Sequence, residues 1–382
     1  MKIGIIDADL LNRTRHRFPN LASMKISGFH KEQGDNVKLL LKGDVKMLIP
    51  FKKYKKYDKL YISKVFTDTP IDKRLLKLPN VIYGGTGFYF DKAPDLPDEI
   101  EHHFPDYHLY DKFIEMEIKR GINPKQFKEY TDYSIGFTTR GCFRKCPFCV
   151  NQKYDRVNLH SPISEFYDES RPKICLLDDN VLGHKDAKKI FEELQSTGKK
   201  FKYKQGLDER LLNPEKINML LNSKYDGTLT FAFDNIDDKE IIIKKMEMWR
   251  KIDTRKTPMF YVLCAFDKTD RYDAEFWKQD IIDTFERIKI LMKYKCIPYI
   301  MRYERYEDSP YKGTYINLAR WCNQPQFYKK KSFREFCNLV QGNSTSDSKC
   351  STMRYMNQLE TDYPEIAKKY FDVKFENINE YK

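Results

Sequence analysis

The first 141 residues contain no cysteine, although the whole chain of 382 residues has nine. A count this low in so long a chain excludes a secreted disulfide framework, which belongs to short, cysteine-dense proteins. No stretch approaches the roughly 20 consecutive apolar residues that a membrane-spanning helix needs. The opening MKIGIIDADLL is a short apolar run ended by Asp7 and Asp9, without a cleavable hydrophobic region. No internal repeat is present, and GNSTSDSK (342–349) is the only low-complexity stretch, expected as a surface loop. These absences predict a cytoplasmic protein with no membrane partner.

Hydrophobic residues make up 41% and aromatic ones 14% of the chain, enough for a packed core. Charged residues make up 33%, and the formal net charge of +13 points toward nucleic acid or another polyanion. Much of that excess is scattered lysine, which serves a solvated surface equally well. In the first ninety residues, IGII (3–6), VKMLI (45–49), KLYIS (59–63) and NVIYGG (80–85) read as strands, with a helix over 24–34. Strands alternating with helices predict a Rossmann-like, doubly wound parallel domain over 1–90. Residues 91–131, rich in Pro, His and acidic groups, read as a connector with a short helix at 111–119.

From Asp132 the alternation restarts. SIGFTT (134–139), KICLLDD (173–179), FKYKQGLD (201–208), TLTFAFD (228–234), MFYVLCAFD (259–267) and CIPYIMRY (296–303) read as strands. Helices are expected at 185–197, 214–222, 238–252 and 274–294. Six strands in regular alternation predict a partial (β/α)6 barrel over 132–305, followed by a mainly helical extension over 306–382. The chain is thus expected to be α/β throughout its first three quarters.

Cysteines then arrive in a burst. TTRGCFRKCPFCVNQ (138–152) places Cys142, Cys146 and Cys149 with three and then two residues between them. Thiolates this close can occupy three corners of one iron–sulfur cube and leave the fourth iron open. Structural zinc sites instead take four ligands, often from paired CxxC units. The glycine at 141 suits a tight metal-binding turn.

CxxxCxxC with an aromatic residue, Phe148, before the last cysteine resembles the signature of the radical S-adenosylmethionine (SAM) superfamily. The resemblance covers about residues 130–305. It implies a 4Fe–4S cluster whose open iron chelates SAM, and an external one-electron reductant. It also implies cleavage of SAM to a 5′-deoxyadenosyl radical that abstracts hydrogen from substrate. Phe148 would then sit near the adenine. Asp178, Asp179 and Asn180 in LLDDN stand where the family contacts the SAM amino group, in place of its Gly-Gly-Glu type motif. Gln205, Asp208, Arg210 and Asp234 fall at the ends of the third and fourth strands, where barrel sites form. Arg210 suits the SAM carboxylate, since a guanidinium binds a carboxylate bidentately. Arg302 and Tyr303 close the sixth strand and are the candidates for substrate contact, although alternation lets only one of them point inward.

The first domain resembles the cobalamin-binding domain found ahead of many radical SAM barrels. The usual motif places a His two residues after an Asp, but residues 7–12 read DADLLN. His16 and His30 lie off that spacing and read as surface histidines, and the domain reads as a degenerate support. Methylthiotransferases share the TTRGC run, but they carry three further cysteines in an amino-terminal domain that here has none. In the tail, Cys322, Cys337 and Cys350 match no compact ligand pattern and read as free thiols, with an auxiliary cluster as the alternative. RWCNQPQFYKKKSFREF (320–336) interleaves aromatic and basic residues, as a surface that stacks bases and neutralises phosphates would. An amphipathic helix whose lysine stems cover an apolar face has the same composition. The favoured reading is a radical SAM enzyme acting on a nucleobase or nucleic acid. The alternatives are a cobalamin-dependent methyltransferase and a non-catalytic iron–sulfur or zinc module that binds nucleic acid.

Overall fold

The structure is a computed structural model that describes residues 1–13, 16–339 and 348–381. It is a mixed α/β protein with parallel sheets and many helices, divided into two compact units, Met1–Lys204 and Gln205–Lys382. In the first unit, β1 (Lys2–Asp7), β2 (Asn36–Leu39), β3 (Lys59–Ser63) and β4 (Val81–Gly84) form a parallel sheet in the order β2-β1-β3-β4. Ile3, Ile5 and Ile6 of β1 are no more than 1% exposed, because a central parallel strand is covered on both faces. The helix Leu21–Glu32 follows β1 and starts where Asn20 accepts from the Ser23 N–H at 2.9 Å.

Three expectations for this region need correction. VKMLI lies in the helix Lys42–Leu48, not a strand. Its start is capped where the Asp44 carboxylate accepts from the Leu41 N–H at 3.1 Å, and so short an apolar run carries no period that separates the two states. The strand Asn36–Leu39 has too few apolar residues to stand out. His30 is buried, not at the surface, held by Asp35 at 2.7 Å and by the Tyr61 hydroxyl at 3.0 Å. Residues 91–131 contribute Ile100, Tyr110, Ile114, Phe127 and Tyr130 to the same hydrophobic cluster as Ile3 and Ile5. This stretch, read as a connector, also supplies core material for the sheet.

The chain continues through β5 (Tyr133–Gly136), β6 (Thr139–Arg140), β7 (Asn158–Leu159), β8 (Lys173–Leu176) and β9 (Lys200–Tyr203). β5, β8 and β9 form a parallel sheet in that order, and β6 pairs antiparallel with β7. The predicted strand 134–139 therefore breaks after Gly136, where the ring of Phe166 lies so close that a Cβ would overlap it. The short β6–β7 ribbon closes the base of the cysteine loop.

In the second unit, β10 (Thr230–Ala232), β11 (Met259–Cys264) and β12 (Ile297–Arg302) form a parallel sheet in sequential order. Leu207 adds a parallel bridge to Phe231. Helices Pro214–Asn222, Lys239–Ile252 and Ala274–Lys293 connect these segments. Each unit thus carries three of the six expected strands. The tail folds as the helices Lys312–Cys322, Pro325–Tyr328 and Phe333–Leu339, then Ser348–Asp362. Of the two readings of 320–336, base stacking finds no support in these rings: Trp321, Tyr328 and Phe333 are at most 1% exposed, and Trp321 packs on the other two. Burying such rings removes far more apolar area from water than a stacking platform leaves, so the amphipathic reading prevails. Residues 342–347 of the low-complexity stretch and the Cys350 side chain lie outside the described residues.

No described helix is long and apolar enough to cross a membrane.

Candidate metal and cofactor site

Cys142, Cys146 and Cys149 lie, half-buried, in the loop that the ribbon closes. The loop starts at Gly141, whose φ of +96° favours glycine and where a Cβ would lie 2.5 Å from the Arg156 carbonyl oxygen. The Cys149 N–H donates to the Cys146 carbonyl at 2.9 Å, and the Gln152 amide donates to the same carbonyl. Lys145 ties across the loop, with its Nζ 2.6 Å from the Gln152 carbonyl oxygen and 2.6 Å from Asp155. The sulfurs receive N–H donors. The Arg144 N–H and the Asn180 side chain point at Cys142 Sγ at 3.4 and 3.3 Å, and the Asn151 N–H points at Cys149 Sγ at 3.4 Å. Hydrogen bonds to sulfur tune iron–sulfur clusters.

The frame that holds this loop comes from the end of β8. Asp178 is buried and accepts from the N–H and hydroxyl groups of both Thr138 and Thr139, at 2.5 to 3.0 Å. Burial raises its carboxyl to about 6, against those four bonds, which pull it down. Asp179 joins the two ends of the loop, accepting from the Gly141 N–H at 2.7 Å and from the Asn151 amide at 2.6 Å. Asn180 reaches the first cysteine. Three consecutive side chains thus grip the loop before, across and within it. Phe148 is half-buried in the same loop.

Among the described residues, no three His, Cys, Asp or Glu side chains converge as they would on a single metal ion. A cube takes one thiolate at each of three corners, so its cysteines have no common point to meet. The donor set, with three thiol groups and N–H donors to two of them, fits a 4Fe–4S cluster.

The remaining predicted residues belong to the second unit. Arg210 donates from Nε to Asp208 at 2.7 Å and from Nη1 to Asp238 at 2.8 Å, and these carboxylates raise its already high pKa further. Asp234 accepts from the Leu263 N–H at 3.0 Å, and burial raises its carboxyl. Gln205 is exposed. Arg302 is exposed and stacks on the Tyr306 ring at 4.3 Å, while Tyr303 is half-buried with its ring edge-on to Phe266 at 4.9 Å. The strand ends at Arg302, so Tyr303 caps the following turn rather than continuing the alternation.

Several residues of these sites went unread in the sequence. Thr138, Thr139 and Asn151 hold the loop, and the doubled threonine ahead of Arg140 was their only signal. Glu209, 1% exposed in the second unit, accepts from the Ala232 N–H at 3.3 Å. Burial raises its carboxyl well above the usual range, helped by the charge of Asp208. In the first unit, Glu101 gathers Lys25, His160 and Arg140 at 3.1, 3.2 and 3.7 Å. Burial alone would raise this carboxyl, but the His160 bond and the Lys25 and Arg140 charges hold it at about 2.

No protein-family model and no curated protein matches the chain. Among solved structures, it is similar to the cobalamin-dependent S-adenosylmethionine radical enzyme OxsB, with aqua-cobalamin bound and in an apo, selenomethionine-labelled form. Both matches show 13% identity and a TM-score of 0.37 across all of this chain. The chain spans 58% of the length of those solved structures, and a likeness at this TM-score fixes neither fold nor chemistry.

Proposed function

We propose that the protein is a radical SAM enzyme that holds a 4Fe–4S cluster at Cys142, Cys146 and Cys149. The observation that carries this reading is the loop itself: three half-buried cysteines, N–H donors to Cys142 and Cys149, and a frame of Asp178, Asp179 and Asn180. When bound, such a cluster supplies the electron that cleaves SAM reductively, and an external reductant must provide it. The chain's own part is positional. Asp179 fixes the distance between the ends of the loop, and Asp178 anchors the segment that leads into it. Phe148, in the same loop, would lie against the adenine.

The wider reading takes residues 132–305 as the partial barrel, 1–90 as a supporting domain and 306–382 as an extension. In it Gln205, Asp208, Arg210 and Asp234 serve SAM, while Arg302 and Tyr303 face substrate. Asp208 and Asp238 would orient the Arg210 guanidinium toward the SAM carboxylate. At the end of β1, Asp7 and Asp9 offer no nitrogen ligand for a corrinoid cobalt. Both are committed to protein donors, Asp7 to Leu10 and Tyr110 and Asp9 to Val65 and Thr69, so no step is assigned to cobalamin.

The test is anaerobic reconstitution with iron and sulfide, then incubation with SAM and dithionite. Release of 5′-deoxyadenosine is expected, with loss to background in Cys146→Ala. A reconstituted protein that binds about four irons per chain yet never releases 5′-deoxyadenosine would instead indicate a structural cluster.

A further inference from the structure

The first unit contains a cavity of about 480 Å3 at the carboxyl ends of β3 and β4. That is where ligands sit in open parallel sheets, and roughly 300–1,000 Å3 is the range of small-molecule sites. On one side it meets Val150 and Asn151, immediately after Cys149. We infer that this cavity binds a neutral, planar heteroaromatic molecule of about nucleoside size.

Three observations define the ligand. The walls include Ile82, Tyr83 and Phe90, which are 49%, 37% and 40% exposed, and apolar and aromatic side chains left this open provide faces for a flat ring. Charge is nearly balanced, with three basic and four acidic side chains in the lining. They are partly paired with one another, Lys153 with Asp95 at 2.6 Å and Arg140 with Glu101 at 3.7 Å, which gives a polyphosphate no cationic cradle. Finally, Gly84 lines the cavity, and a Cβ built there meets nothing within 4 Å, so the missing side chain is open space.

This site, beside the cysteine loop, would hold the substrate if the radical SAM reading is right, and the proposal rests on that reading only for this role. Binding itself is tested without iron or SAM, so either idea can fail alone. Guanosine, cytidine and uridine are titrated into the full-length protein by calorimetry; adenosine is left out as a fragment of SAM. At least one nucleoside is expected to bind with a sub-millimolar Kd. Gly84→Phe, whose ring would fill the cavity, is expected to weaken it at least 100-fold with an unchanged circular dichroism spectrum and Tm. Absence of binding by all three, or equal binding by Gly84→Phe, overturns the proposal. So does tighter binding of the matching monophosphates, which would mark an anion site.

Discussion

The cysteines of the loop and those of the second unit are built for opposite purposes. In the first unit, Cys142, Cys146 and Cys149 stand half-exposed on a loop, with N–H donors aimed at two of the sulfurs. In the second, Cys264, Cys296, Cys322 and Cys337 are at most 1% exposed. Burial pushes Cys296 and Cys337 up to about 12, and Cys264 and Cys322 well above the usual thiol range. A thiol that ligates a metal must give up its proton, which the apolar interior opposes. The same division holds for acids at strand ends. Asp178 and Asp179 spend their oxygens on the loop, whereas Asp208 and Asp238 spend theirs on Arg210.

The largest test of this contrast exchanges cysteines. Serine at 142, 146 or 149 should take reconstituted iron from about four per chain to near zero, while Cys322→Ser and Cys337→Ser retain it. Near eight irons in the wild type, halved by a tail substitution, would break the comparison.

A second test concerns buried acids. Asp7 is fully buried, and burial raises its carboxyl to about 6, although bonds from Leu10 and Tyr110 oppose the shift. Its unfolded value is about 3.9. Between those values the native state keeps a proton that the unfolded chain has released, so stability falls as pH rises from about 4 through about 6. Asp7→Asn should remove a slope worth on the order of 2–3 kcal/mol, seen as urea midpoints at pH 4 and 7 that converge relative to wild type. An unchanged slope would show that the native proton is held elsewhere.

Asp179→Ala removes the bridge between the ends of the loop. Retention of iron against a chelator should drop roughly 10–100-fold, with Asp179→Asn intermediate. The smallest effect is expected from Cys322→Ala, a small cavity in a packed interior costing about 1 kcal/mol by thermal melting, with iron content unchanged.

Much of this was legible because it is periodic or close in sequence. The six strands after Asp132, the helix at 214–222 and the cysteine loop all announce themselves within a few residues. What was lost depends on long-range pairing. Glu101 meets Arg140 and His160 across some forty to sixty positions, and no local pattern marks such a cluster. His30 looked superficial because a single histidine among polar neighbours carries no burial signal, and its partner Tyr61 lies one strand away. Tail aromatics alternating with lysine have one composition for two architectures, and only packing decides between them.

The grip of Asp178, Asp179 and Asn180 on the loop has a consequence for assembly. The bonds of Asp178 and Asp179 join protein to protein, so none of them uses iron as a partner. A frame of that kind could be filled as a mould, without folding coupled to the metal. A chain stripped of iron by oxygen should keep its shape and accept a new cluster without passing through the unfolded state.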